Sequence, residues 1–322
     1  MPQAIRIEAA GPAENMKLVD VTLGPPGKGE AQVEHHAVGI NYIDVYFRSG
    51  LYPQAMPAGV GQEGAGIVTA VGEGVTHVKP GDRVAYCGGP PGAYCTARNM
   101  PAHILVKLPK AISFETGAAM MLKGMTVQYL LRRTYKVQKG QTILFHAAAG
   151  GVGLIAMQWA KALGVKTIGT VGSKDKAELA RKFGCDHTIL YREENIAERV
   201  RAITQGAMVP VVYDSVGKDT FQATIDSLQP FGLFVSFGNA SGPVPPVALT
   251  ALKGSLYITR PSLMAHIASR ENIEAISSDL FKMVASGKVT IPIDQRYKLS
   301  EAVKAHNDLE SRRTTGCTVL LP

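Results

Sequence analysis

Hydrophobic spacing divides the chain in two. Up to about residue 123, apolar positions fall in short runs broken by Gly/Pro turns such as Pro25-Pro26-Gly27, Pro80-Gly81-Asp82 and Gly88 to Gly92. Met1 to Ala10, Ala65 to Val71 and Arg83 to Tyr86 read as strands, so this half predicts a mostly β domain. From about residue 124 the period changes. Thr142 to His146 is an apolar strand, after which Val152, Ile155, Ala156, Trp159, Ala162 and Leu163 recur at helical spacing. Further strands read at Val165 to Val171, His187 to Tyr191, Val209 to Val216 and Leu233 to Phe237, with a sixth candidate at Leu256 to Thr259. Helices read between them at Lys174 to Phe183, Glu193 to Gln205 and Thr220 to Leu228.

Parallel strands need long crossovers, and helices supply them. The alternation therefore predicts an α/β domain, a doubly wound parallel sheet with helices on both faces. The tail carries a helical pattern through Ile273, Ile276, Leu280 and Met283 and a final strand, Thr318 to Leu321. The expected organisation is a first domain over residues 1–124, an alternating domain over 125–263, and a segment 264–322 that returns to the first domain.

With 322 residues, 46% of them hydrophobic and 19% charged, the chain is globular and can fill two cores. No apolar run approaches the roughly 20 residues of a membrane span. The first ten residues carry Arg6 and Glu8 in place of an apolar signal core, so the expected location is cytoplasmic. Cys87, Cys95, Cys185 and Cys317 make no C-x-x-C pair, which speaks for free thiols and against structural zinc. Cys87 and Cys95 lie in one loop and could meet. A net charge of +8 favours anionic partners, but the basic residues are scattered. The adjacent Arg pairs are Arg132-Arg133 and Arg312-Arg313, and no basic run suggests a nucleic-acid surface.

The strongest local signal is Ala148-Ala149-Gly150-Gly151-Val152-Gly153. Gly150 and Gly153 match G-x-G-x-x-G, and Ala148 replaces the first glycine. The setting, strand before and amphipathic helix after, is that of a dinucleotide site. Gly150 lets the backbone approach a pyrophosphate, Gly153 lets the helix pack closely, and the helix N-terminus offers N–H groups and partial positive charge. The plainer alternative is an ordinary tight turn. NAD sites place a carboxylate at the end of the second strand. Here that place reads Gly172-Ser173-Lys174-Asp175-Lys176, where Ser173, Lys176 and nearby Tyr191 or Arg192 suit a 2′-phosphate. NADPH is the expected cofactor, with Asp175 dissenting unless it serves as a first-turn helix acid.

Several motifs together carry a resemblance. They are Pro57 to Val84 with Gly61-Gln62-Glu63-Gly64-Ala65-Gly66, Asn41-Tyr42-Ile43-Asp44, Lys123-Gly124-Met125-Thr126, His146 to Gly153, Tyr213-Asp214-Ser215-Val216-Gly217 and Phe237-Gly238-Asn239. Over essentially its whole length the chain resembles the quinone oxidoreductase branch, the relatives of ζ-crystallin, of the medium-chain dehydrogenase/reductase superfamily. The resemblance implies a GroES-like catalytic domain beside a Rossmann domain. It also implies that Asn41, Tyr42, Thr126, Tyr129, Ser215, Phe237, Gly238 and Asn239 accompany Gly150, Gly151, Val152, Gly172, Ser173, Lys176 and Tyr191 in holding the cofactor. Zinc-dependent relatives place a Cys ligand where this chain has Asn41 and a His ligand where it has Gln62, and the lobe of four cysteines is missing. Asn and Gln are poor zinc ligands, so no metal is expected.

Reducing a ketone leaves a localised alkoxide, which gains from a Lewis acid. Reducing a quinone spreads the charge over a ring, so placement of the acceptor can suffice. This favours an NADPH:quinone oxidoreductase, with Asn41, Tyr46 and Tyr52 as the catalytic candidates; a Tyr can stack on a planar acceptor and donate a hydrogen bond. Packing under a loop is the alternative for each Tyr, and a satisfied turn residue for Asn41. An NADPH-dependent reductase of α,β-unsaturated aldehydes or ketones shares the fold and cofactor. A reading of another class is an RNA-binding protein like some ζ-crystallin relatives. A homodimer is expected, with Leu256 to Thr259 as an exposed edge.

Overall fold

The computed structural model describes residues 1–311 and 313–322; Arg312, half of one Arg pair, lies outside the described residues. The chain forms two compact units. The first comprises Met1–Met125, Ile267–Ala285 and Ile291–Pro322, the second Thr126–His266 and Ser286–Thr290.

In chain order the first unit holds β1 (Gln3–Ile7), β2 (Lys17–Asp20), β3 (Glu30–Ile40), α1 (Tyr42–Ser49), β4 (Ala58–Gly59), β5 (Glu63–Val71), β6 (Arg83–Cys87), β7 (Ala97–Pro101), β8 (Val106–Lys107) and α2 (Phe114–Tyr129) as far as Met125, the rest of that helix belonging to the second unit. The second unit follows with β9 (Thr142–Phe145), α3 (Gly151–Ala162), β10 (Lys166–Val171), α4 (Lys174–Lys182), β11 (His187–Leu190), α5 (Ile196–Ile203), β12 (Val209–Asp214), α6 (Phe221–Ser227), β13 (Leu228–Ser236), β14 (Tyr257–Thr259) and α7 (Leu263–His266). The chain then gives α8 (Arg270–Ala285), β15 (Ile293–Lys298), α9 (Ala302–Glu310) and β16 (Cys317–Leu321) to the first unit.

The first unit is built on β3, which pairs antiparallel with β5, β7 and β16. Its sheet runs β15-β16-β3-β5-β6-β8, and a smaller one runs β2-β1-β4. Ala31, Val33, His35 and Ala37 point inward while Glu34 and His36 face out, the period of a half-buried strand. Beyond Ala37 the alternation stops and Val38, Gly39 and Ile40 are all buried. Ile5, Ile7, Val38, Tyr94 and Leu320 share one core cluster.

The first half is less purely β than its sequence suggests. It contains α1 and the 16-residue α2. The reason is visible in α2: Ala118, Ala119, Met120, Met121, Met125 and Val127 are all buried, so no polar face marks the helical period. Cys87 and Cys95 do not pair. All four cysteines are free, with Cys87 Sγ 3.6 Å from Met125 Sδ and Cys95 Sγ 3.3 Å from the Gly92 carbonyl.

The second unit is a six-stranded sheet in the order β11-β10-β9-β12-β13-β14, with every pairing parallel. In strand ranks this is 3-2-1-4-5-6, the doubly wound order. Leu144, Ile168, Ile189, Val212 and Phe234 fill its core. Two helices start later than their periodicity suggests. Helix α5 begins at Ile196 because Asn195 accepts the Glu198 N–H (3.1 Å), while Glu194 turns back to accept the Leu190 N–H (2.7 Å). Helix α6 begins at Phe221. Among the described residues no helix is long and apolar enough to cross a membrane.

Candidate active site

In the second unit the chain leaves β9 through a turn at Ala147 (φ 56°), a left-handed conformation carried by a non-glycine residue. Gly150 N–H donates to the Ala147 carbonyl (3.0 Å) and is the N-cap of α3. The first helical bond runs from Leu154 N–H to the Gly150 carbonyl (2.8 Å), so the amides ahead of it have no acceptor within the helix. A methyl on Gly153 would strike the Ala147 carbonyl, whereas one on Gly150 would sit 3.3 Å from it. Gly153 is therefore demanded by packing, and a methyl on Gly150, at the helix N-terminus, would meet one tight contact. The missing first glycine has its own compensation. A Cβ on Gly169 would lie 2.5 Å from the Ala148 methyl, so the bare strand residue makes room for the alanine.

The end of β10 gathers the residues expected to read the phosphate. A Cβ on Gly172 would come within 3.0 Å of the Tyr191 hydroxyl, and the Arg192 guanidinium lies 5.9 Å from the Tyr191 ring centroid. Ser173 caps α4 by accepting the Lys176 N–H (3.4 Å), and Asp175 stands exposed in the first turn of that helix. At the ends of β12 and β13, a Cβ on Gly238 would lie 3.0 Å from Ser215 Cβ, and the Phe237 ring stands 5.7 Å from Phe145. Asn239 occupies the same loop, its carbonyl accepting the Gly242 N–H (3.0 Å). Thr126 bonds to the Tyr129 side chain, and Tyr129 stacks on His266 at 4.4 Å.

A buried polar network not foreseen from the sequence ties these loops together. His146 Nδ1 meets Thr170 Oγ1 (3.0 Å) and Nε2 meets Thr224 Oγ1 (2.9 Å). Asp214 accepts from the Thr220 hydroxyl (2.7 Å), the Thr224 hydroxyl (3.3 Å) and the Val216 N–H (2.7 Å). Burial holds the His146 imidazole below its usual range, with Asp214 opposing, so it works as a neutral hydrogen-bonding spacer.

In the first unit, Asn41 is the N-cap of α1 and sits next to a cluster of tyrosines. Tyr42 and Tyr46 lie one helical turn apart at 5.6 Å, and Tyr52 lies 5.2 Å from Tyr46 and 5.6 Å from Phe47. Asn41 Nδ2 donates to Glu63 Oε1 (2.7 Å). Glu63, with no exposed surface, also accepts the Leu122 N–H (2.7 Å) and the Lys123 ammonium (3.3 Å). Beneath the segment, Asp44 accepts the Asn41 N–H and the Tyr94 hydroxyl, each at 2.8 Å, and that hydroxyl lies 3.1 Å from His306 Nε2. Sequence reasoning missed Asp44, Tyr94 and His306. The Asn41-x-x-Asp44 spacing was the available signal, since an acid three residues past an N-cap bonds back to it.

The chain matches the alcohol dehydrogenase GroES-like domain over residues 27–110 and the zinc-binding dehydrogenase family over residues 151–281. It is 54% identical over 325 residues to a quinone oxidoreductase of Pseudomonas aeruginosa, covering all of both chains. It is 43% identical over 331 residues to a 2-haloacrylate reductase of a Burkholderia species, covering 100% of this chain and 99% of the relative. The crystal structure of Escherichia coli quinone oxidoreductase complexed with NADPH superposes with a TM-score of 0.98 at 51% identity, covering 99% of this chain and 100% of that one.

One matched family carries zinc in its name, but the donor set here does not fit a zinc ion. Asn41 and Gln62 are poor ligands. Both Glu63 oxygens are already hydrogen-bonded, and a buried ammonium stands beside them, where it would repel a dication.

Asp44 gives a pH signature. Burial pushes its carboxyl up to about 7, against the hydrogen bonds from the Asn41 N–H and Tyr94. An unfolded Asp ionises near about 3.9. The folded protein thus keeps a proton that the unfolded chain has released, so this group's stability contribution is full below about pH 4 and is lost as pH rises through about 7. We predict that Asp44→Asn removes this fall: the melting-temperature difference between variant and wild type should shift in the variant's favour from pH 4 to pH 7.5. Parallel pH profiles for the two proteins would refute the assignment.

Proposed function

We propose that this chain, which belongs to the quinone oxidoreductase branch of the medium-chain dehydrogenase/reductase superfamily, reduces quinones with NADPH and without a metal ion. The observation that carries this reading is the glycine turn at the N-terminus of α3, at the carboxyl end of a 3-2-1-4-5-6 parallel sheet whose second strand ends in basic and hydroxyl groups. Ligands of such sheets bind beyond the carboxyl ends of the strands.

In this reading Gly150, Gly151 and Val152 present backbone amides to the pyrophosphate. Ser173, Lys176 and Tyr191 hold the 2′-phosphate, and Gly172 keeps the strand end bare so that it can approach. Ser215, Phe237, Gly238 and Asn239 form the rim of the site, with Thr126 and Tyr129 toward the nicotinamide end. NADPH, when bound, supplies a hydride from C4 of its nicotinamide. Asn41 and Tyr42 orient the reacting groups. Tyr46 and Tyr52 receive the planar acceptor, stacking on it and donating hydrogen bonds to its oxygens. No strong acid is required of them, because the charge that develops on a quinone is delocalised over the ring. The identity with a 2-haloacrylate reductase supports a second reading, in which the acceptor is a conjugated alkene and the hydride goes to carbon.

The protein works in the cytoplasm as a homodimer on this reading. Strand β14 is the edge of the six-stranded sheet, with Tyr257 60% and Ile258 39% exposed, a surface suited to a second copy. Sedimentation equilibrium should return twice the monomer mass, and a monomer at micromolar concentration would retire the assembly.

NADPH oxidation followed against a panel of 1,4-quinones and enones tests the activity. Turnover of quinones is expected to dominate, and turnover of enones alone would transfer the assignment to the second reading. A charge-assisted hydrogen bond is worth about 1.5–3 kcal/mol. Lys176→Ala should therefore raise the Kd for NADPH about 10- to 100-fold and leave that for NADH unchanged; equal losses for both would remove Lys176 from the phosphate site.

A further inference from the structure

Lys123 follows the apolar run Met120-Met121-Leu122, and none of the cofactor or acceptor roles above uses its charge. Its side chain is only 8% exposed. Its ammonium donates to the Ile40 carbonyl (3.0 Å), the residue before Asn41, and to Glu63 Oε1 (3.3 Å). The same Oε1 accepts the Asn41 side-chain amide, while Oε2 accepts the Leu122 N–H. A methyl on Gly39 would strike both Glu63 Oε1 and the Ala118 carbonyl, so the carboxylate lies against bare backbone with no slack. One cation therefore grips the start of α1 twice, through the Ile40 carbonyl and through the carboxylate that holds Asn41.

We propose that Lys123 is a positioning residue: its ammonium neutralises Glu63 and thereby fixes the side chain of Asn41. The inference rests on the reading of Asn41 as a group that orients the reactants. Burial, the largest single influence, would depress the Lys123 ammonium, but the Glu63 carboxylate together with smaller contributions from Cys317 and Asp44 reverses it, so the group stays charged. Without the ammonium, the buried carboxylate loses the charged partner that also ties it to the Ile40 carbonyl, and the Asn41 amide bound to the same oxygen loses its fixed acceptor. Zinc is excluded by the same logic, because the site already contains its counter-charge.

The test uses the full chain. Lys123→Ala should lower kcat for quinone reduction by about 10- to 100-fold, the scale of a misplaced orienting group. The Kd for NADPH, read by fluorescence titration, should change far less than kcat, because the phosphate contacts of the second unit are untouched; a loss confined to Kd would overturn the proposal. Added n-propylammonium should restore most of the lost kcat, whereas n-butane-sized neutral alcohols at the same concentration should not. Restoration by both would mean that the cavity matters and the charge does not, and would overturn the proposal. Lys123→Met keeps the volume without the charge and serves if the alanine variant does not fold; wild-type kcat in Lys123→Met is equally fatal. The Asn41 side-chain amide signal in a 15N NMR spectrum gives a readout without turnover: it should shift toward its solvent-exposed position in Lys123→Met, and an unmoved signal counts against the proposal. Failure of the functional reading looks different, since the wild type would then not oxidise NADPH with any quinone.

Discussion

A carboxylate with no exposed surface can exist only where its charge is met on every side, and Glu63 places that demand on the first unit. Two segments answer it. Strand β3 pairs Gly39 directly with Glu63 and carries on into Asn41, whose amide donates to the carboxylate. Helix α2 contributes the Leu122 N–H and the Lys123 ammonium. The arrangement is asymmetric in its energetics: removing either charge alone leaves the other buried and unpaired, a far larger loss than the net worth of the pair. The course of α1, with its row of Tyr42, Tyr46 and the adjoining Tyr52, follows from where Asn41 is held.

The second unit solves a different problem, that of bringing backbone close to a polyanion. Its means are absences of side chains. Gly153 lets α3 approach the turn, Gly169 makes room for Ala148, and Gly172 lets Tyr191 close on the strand end. The buried chain Thr170, His146, Thr224 and Asp214 then links β10, β9, α6 and β12 at the carboxyl end of the sheet, so that the loops there share one hydrogen-bonded base. A network of this kind is stiff when every member is satisfied. That stiffness suits a reaction whose catalysis depends on placement.

The positive charge beside Glu63 in this chain is the ammonium of Lys123. An alkoxide needs a strong local cation, and a delocalised phenolate does not.

The cofactor unit was largely legible along the chain. Buried parallel strands leave continuous apolar runs and their crossover helices leave period-3.6 stripes, so Thr142 to Phe237 could be read nearly element by element. The glycine turn was legible because steric demand is local: Gly153 is needed by the Ala147 carbonyl six residues away. The tyrosine cluster over residues 42–52 was legible in composition. What the chain alone did not disclose were α2, whose buried faces erase the polar stripe, and the partners of the buried charges. Lys123 and Glu63 are 60 positions apart, and Tyr94 and His306 are 212 apart. A sequence displays a lysine and a glutamate as two solvated charges. Only the tertiary structure decides that they are buried together, and desolvation is what turns that proximity into a strong interaction.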